Sequence, residues 1–330
     1  MRIPGFKLLK SNARERVAAC ENQNKIVLVY ISVVTALAAL VTVVNYVLGL
    51  QIAKAGGLSN MGLRSVLSTF QSVLPMVQSF IVMCLEVGYL AAMLRISRRQ
   101  FASEKTLKLG FDRFWVLLRS VILQGGIYMM VSLSTFWIAA QVFVLTPLSA
   151  SFMELVAPIL ADPGFTVEML QEEALLNSLI PAMLPMFLLF GILYAAVCIP
   201  ISYSLRLTNY VIIDKPAVGA IMAMGESRNM MRGHRMRLFR LDLSLWWWYA
   251  ISAASAVLAY GDMILLNLGI SLPWSDTVSY FLFYGLFLAV QFAACYFLRN
   301  RIEVVYAQVY DALKPREKET GVVLGNIFQM

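Results

Sequence analysis

The chain has 330 residues, 60% hydrophobic and only 14% charged, with a formal net charge of +8. A soluble globular domain is about 45–50% apolar and about 25% charged, and the mean hydropathy of +0.72 departs in the same direction. A soluble globular protein is therefore excluded, and so much apolar material also excludes disorder.

About 20 apolar residues carry a helix across the hydrocarbon core. Residues 1–25 form a basic segment with Arg2, Lys7, Lys10, Arg14, Arg16 and Lys25. An uncharged run from Ile26 to Leu50 predicts the first span. Ala53-Lys54-Ala55 has the form of a signal-peptide cleavage site, but an h-region is about 7–15 residues long. The run before it is about twice that, so a retained helix is expected. The second span is expected over Phe70 to Leu94, interrupted only by Glu86, and the third over Ser120 to Val144. The fourth, Leu179 to Leu205, contains Pro181, Pro185 and Pro200, which membrane helices tolerate where neighbours satisfy the freed carbonyls. The fifth, Leu243 to Tyr260, opens on Trp246, Trp247, Trp248 and Tyr249, a cluster suited to the headgroup level. The sixth is Thr277 to Leu298. These runs are too long and too uniformly apolar for the strands of a β-barrel.

The expected architecture is all-α: a polytopic membrane protein, a bundle of six transmembrane helices with short amphipathic interfacial helices. Residues 26–298 form the transmembrane domain and residues 299–330 a C-terminal helix and tail. Asp214-Lys215-Pro216 predicts an interfacial helix start and Gly233 its stop, with Val218, Ile221, Met222 and Gly225 on one face. Glu104 to Phe114 is expected to lie against the membrane in the same way. Arg301 to Leu313 places Ile302, Val305, Tyr306 and Val309 at helical spacing, and Pro315 ends that run. Ala250 and Ala254, Ser252 and Ala256, and Ala289 and Ala293 form small-xxx-small pairs, which predict close packing of spans five and six.

Of the 27 Lys and Arg residues, 25 fall in the N-terminal segment, the second-to-third and fourth-to-fifth connections, and the tail. Only Lys54 and Arg64 fall on the other side. The third-to-fourth loop carries Glu154, Asp162, Glu168, Glu172 and Glu173 and no base. Basic residues collect in cytoplasmic loops, so both termini are expected in the cytoplasm, in a bacterial cytoplasmic membrane. The asymmetry accounts for the charge without a nucleic-acid partner.

Cys20, Cys84, Cys198 and Cys295 show no CxxC spacing and read as small hydrophobes rather than a disulfide framework or zinc site. His234, the one histidine, stands in an Arg-rich loop and reads as solvent-facing. No HExxH, GxSxG, P-loop or dinucleotide fingerprint occurs, so no catalytic residue, metal or cofactor is expected. Glu86 precedes Arg95 by nine residues, about 13 Å inside the boundary at a rise of about 1.5 Å per residue. A charge near the bilayer centre costs about 2.5–3.5 kcal/mol, so Glu86 is expected to face the bundle, with Arg119 its nearest partner in depth. Two readings stand: a bundle-locking ion pair, or a proton or cation site. The cluster Arg228, Arg232, Arg235, Arg237 and Arg240 admits three: a topology signal, a contact for anionic lipid headgroups, or a dock for a soluble partner. Asp242 is expected to cap the fifth span and pair with a nearby arginine.

Ser227-Arg228-Asn229-Met230-Met231-Arg232-Gly233 is followed by Leu238-Phe239-Arg240-Leu241-Asp242-Leu243-Ser244 and an aromatic span. With Gly88-Tyr89, Gly110-Phe111 and the tail from Tyr306 to Tyr310, the chain resembles the bacterial integral-membrane proteins of domain-of-unknown-function family 975, of Firmicutes type. The resemblance covers most of the chain and implies a multi-span membrane protein; it brings no activity or catalytic residue. Two functions are weighed: a non-enzymatic membrane protein of transport or envelope assembly, and a lipid-handling enzyme or its accessory subunit. Membrane lipids, including anionic headgroups, and further protein subunits are the expected partners. A water-accessible cavity around Glu86 would mark transport, a lateral groove lined by cytoplasmic arginines lipid handling, and a packed interior a scaffold.

Overall fold

The computed structural model describes residues 4–54, 61–160, 173–270 and 272–314. Ala55, the loop acids Asp162, Glu168 and Glu172, and the tail from Pro315 lie outside the described residues. The elements are helical: α1 Phe6–Ala18, α2 Gln23–Lys54, α3 Met61–Ser97, α4 Leu109–Asp112, α5 Phe114–Leu145, α6 Ala150–Leu160 and α7 Glu173–Leu205. They continue with α8 Thr208–Asp214, α9 Ala220–Met231, α10 Arg235–Leu243, α11 Trp246–Ala259, α12 Gly261–Asn267, α13 Asp276–Ala294 and α14 Asn300–Leu313.

Five helical stretches are long and apolar enough to cross a membrane: Gln23–Lys54, Gly62–Ser97, Phe114–Leu145, Ser178–Asp214 and Thr277–Leu313. The fifth expected span is a broken pair, α11 and α12, bent by 64° at Tyr260. The chain is thus an all-α polytopic membrane protein.

Two rods outrun the bilayer. The stretches Gly62–Ser97 and Thr277–Leu313 are 36 and 37 residues long, a rise of about 55 Å against a hydrocarbon core of about 30 Å. The surplus becomes a packed layer. Cys84, Val87, Tyr89, Ala92, Met93 and Ile96 at the end of α3 are buried, as are Ile302, Val305, Tyr306 and Val309 on α14.

The described structure forms two compact units. The first joins the chain up to Leu118 with the chain from Leu207 onward. In it α2 packs on α3 and α13, α11 on α13, and α14 on both α1 and α3. The second unit, from Arg119 to Arg206, pairs α5 with α7 through an edge-on contact of Phe136 and Phe190 at 5.7 Å, and α6 with α7.

Three local expectations change. The interfacial helix α9 starts at Ala220 rather than at Asp214, because Asp214 closes α8 and its carboxylate is held elsewhere. Gly233 does stop the turn, at φ +80°. Glu104 to Phe114 is not one amphipathic helix: a 3₁₀ turn, Glu104–Lys108, and α4 fold onto α3 and bury Thr106 and Leu107. Spans five and six do pack, but not through the predicted small pairs. Ala250, Ala254, Ala256, Ala289 and Ala293 are exposed, and the contact runs through Ser255, which accepts from Gln291 Nε2 at 2.5 Å.

The fold of the 3₁₀ turn onto α3 depends on two glycines. A methyl at Gly110 would lie on the carbonyl oxygen of Cys84, and one at Gly88 on that of Leu107. Both obstacles are backbone, so neither yields by a rotamer change. Gly110→Ala should therefore lower the thermal midpoint in detergent, a loss of about 1–3 kcal/mol or more for overpacking. Gly125→Ala, on α5 with nothing within 4 Å, should leave the midpoint unchanged or raise it slightly. Equal melting curves for wild type and Gly110→Ala would refute the close approach.

Candidate functional site

The packed layer carries most of the buried polar chemistry of the first unit, in two linked nodes. The first is built on the junction of α13 and α14, where the rod widens into a single π-helical turn, Cys295–Arg299. Such turns occur mostly as isolated bulges, frequently at functional sites. Arg299, the last residue of the turn, is only 18% exposed. Its Nη2 donates to Glu86 Oε1 at 2.8 Å and its Nη1 to the Tyr30 hydroxyl at 3.0 Å. Its Nε lies 3.7 Å from Glu303 Oε1, one turn along α14. Tyr30 and Tyr89 stack with centroids 4.6 Å apart, and the guanidinium stands 5.2 and 5.3 Å from the two ring centres. Cation–π attraction therefore adds to the ion pair. The Tyr89 hydroxyl donates to Asn300 Oδ1 at 2.5 Å, and Asn300 Nδ2 to Gln23 Oε1 at 3.4 Å.

The second node centres on Asp214, whose side chain is 7% exposed. It accepts from Arg98 Nη1 at 2.6 Å, Lys314 Nζ at 2.7 Å and the Tyr310 hydroxyl at 2.9 Å. Arg98 Nη2 also donates to Asp311 Oδ1 at 2.7 Å. Burial alone would lower the Arg98 pKa, but the hydrogen bonds to Asp311 and Asp214 outweigh it and raise it above the ordinary arginine value. The nodes meet through tyrosines. Tyr210 donates to Glu303 Oε2 at 3.4 Å and stacks on Tyr310 at 5.6 Å.

Further bonds tie the N-terminal segment and both long connections to this layer. Lys10 donates to the carbonyl of Ser244, Arg16 to that of Ser97, and Arg113 to that of Pro216. Arg99 pairs with Glu15 at 2.9 Å, and Lys215 with Glu226 at 2.6 Å.

Glu86 is thus placed in a polar node, with Arg299 as the ion-pair partner found there. Arg119, the partner expected from depth, is exposed and opens the second unit. Tyr89 supplies a hydroxyl donor, though to Asn300 rather than to Glu86. Arg228, Arg232 and Arg240 are exposed, and Arg235 and Arg237 half-buried. Asp242 does not cap the fifth span: α11 starts after Leu245 without a side-chain cap, and Asp242 is buried in α10, accepting from the Tyr306 hydroxyl. Span counting also missed Arg98, Asp214, Tyr310 and Arg299. The one signal for them is the unusual content of α14, where Glu303, Tyr306, Tyr310 and Asp311 share a helix with Val and Ile.

A family model described as "Protein of unknown function (DUF975)" matches residues 7–311. No curated protein and no solved structure matches the chain.

Arg299 serves two carboxylates and two rings, whereas Glu86 is 45% exposed and serves one cation. Arg299→Gln should therefore cost more than Glu86→Gln, approaching the about 3–5 kcal/mol of a buried pair broken on one side. The double change should cost less than the two single costs added together, leaving a coupling of about 0.5–3 kcal/mol. Denaturation of all four proteins in one detergent measures this; strict additivity would show that the pair is not coupled.

Proposed function

The chain belongs to the DUF975 family, and from that premise we propose that it is a non-enzymatic component of the bacterial cytoplasmic membrane. On this reading it acts in envelope assembly, with both termini and the packed polar layer in the cytoplasm. The single observation that carries this is how the layer's ionic groups are used. Arg98, Asp214, Asp311 and Lys314 bind one another, as do Arg299, Glu86 and Glu303. Such groups lock elements together, and the layer they lock joins α1, α3, α8 and α14.

The topology is supported by parity. α1 packs directly on α14, and Tyr306 of α14 bonds Asp242 of α10, just before α11. The chain leaves this layer at α11 and returns to it at the end of the rod Thr277–Leu313, which on this reading gives the outward crossing to the bent pair α11–α12. Six crossings then separate α1 from α14, and six return the chain to the same side. The charge split favours the cytoplasm as that side.

In a cysteine-free background, Arg232→Cys should react with a membrane-impermeant maleimide in inverted vesicles and not in intact cells. Leu148→Cys, at an exposed position between α5 and α6, should behave in the opposite way. Labelling of Arg232→Cys from outside intact cells would reverse the topology.

A further inference from the structure

We propose that the groove between α1, the α10–α11 junction and α14 is a binding site for the headgroup of an anionic phospholipid. The proposal rests on the reading above only in placing the packed layer at a membrane surface.

Three segments build the groove. α1 contributes Lys10 and Arg14, one turn apart on one face, and the final rod contributes Leu298, Arg301 and Val305. Leu245 and Trp247 close the third side. The open groove has a volume of about 350 Å³, within the usual range of small-ligand sites, about 300–1,000 Å³. Three of its eight lining residues are basic and none is acidic.

The bases are available. Arg14 and Arg301 are exposed and have no ion-pair partner among the described residues. Lys10 spends one of its three protons on the Ser244 carbonyl at 3.0 Å, which fixes the ammonium without neutralising it. This contrasts with the neighbouring layer, where Arg98 and Arg299 are consumed by carboxylates. Unspent cations around a concave site select an anion, and arginine suits phosphate oxygens through its paired donors.

The rest of the surroundings selects a lipid rather than a soluble anion. Leu245, Leu298 and Val305 give the groove an apolar wall, and Trp247 is the residue type that sits at headgroup level. Beside it, α10 runs into α11 with an exposed apolar stripe: Met236, Phe239, Leu243 and Trp246. Met236, Phe239 and Leu243 share one face of α10 by their spacing, while Leu238, Leu241 and Leu245 are buried. Phe297, next to Leu298, is 65% exposed. Acyl chains that cover this stripe lie beside the three cations, and the headgroup phosphate is thereby brought to them.

The test uses the full chain in a neutral detergent, with dioleoyl phosphatidylglycerol as probe and dioleoyl phosphatidylcholine as the zwitterionic control. Phosphatidylglycerol should raise the thermal midpoint of the wild type at lipid concentrations where phosphatidylcholine does not. Each base near an anionic headgroup multiplies affinity about five-fold, so Arg14→Gln with Arg301→Gln should need roughly 30-fold more lipid for the same shift. Lys105→Gln with Lys108→Gln removes the same charge from exposed positions outside the groove and should keep the wild-type response. Equal protection by both lipids, or equal loss in both double variants, would overturn the site. Protection of the same size by inorganic phosphate would overturn its assignment to lipid. Should the groove variant not purify folded, native mass spectrometry of the wild type in a mixture of the two lipids decides. One phosphatidylglycerol retained per chain supports the site, and indifferent retention rejects it. Detergent has no sidedness, so this outcome is independent of the maleimide topology.

Discussion

Arg299 is the residue on which the first unit closes. It stands where a helix leaves its apolar stretch, and a charge at that depth must find partners in protein. The π turn inserts one extra residue per turn relative to the α-helix and so rotates the helix beyond it. At Arg299 that places a guanidinium over Tyr30 of α2 and Tyr89 of α3 while it bonds Glu86. One side chain thereby gathers two other membrane helices against the last one. The buried face of α14 continues from that point, and its contacts with α1 and α3 depend on the helix leaving the junction in this direction.

Helix length explains why a polar layer exists at all. Rods of 36 and 37 residues cannot end inside the hydrocarbon, and their protruding ends still carry apolar side chains that need cover. α1, the 3₁₀ turn and α8 supply it. Once the ends are packed together, the polar groups on them are removed from water and must satisfy one another. Asp214, with three donors around a 7% exposed carboxylate, is the outcome of that constraint.

What the sequence made legible is what a bilayer dictates locally. An apolar run of some 20 residues has one stable form, so the apolar cores of the spans were readable, as was α14 from its spacing, but not the full length of the rods or the break at Tyr260. The polar nodes were not, because partners such as Glu86 and Arg299 lie over 200 residues apart and depth along the bilayer does not identify a partner. Arg119 matched in depth, and Arg299 looked like the first residue of a tail. Asp214 misled for a related reason: Asp before Lys-Pro has the local form of a helix start, but its carboxylate has better donors in Arg98, Lys314 and Tyr310. The small-residue pairs failed differently. Spacing identifies a face that permits close approach, and it does not say which face is turned inward; here Ser255 and Gln291 offered a hydrogen bond on another face.

The bent fifth element shows how far length and packing divide the work. α11 has 14 residues and α12 has seven, rises of about 21 and about 10 Å. Set end to end they just match the hydrocarbon core of about 30 Å, and the 64° bend leaves them short of it. A span with too little length has to be held by its neighbours or by local thinning of the bilayer. Here the neighbour is α13, which contacts both halves. Gln291 bonds Ser255 on α11, and the ring of Phe283 occupies the place a side chain would take at Gly261, at the bend. The bend therefore lies where α13 reaches in, and Trp246 and Tyr249, exposed at the other end of α11, suit the headgroup level. α11 and α12 are braced as a pair by α13, and the bent element is held by the three helices together.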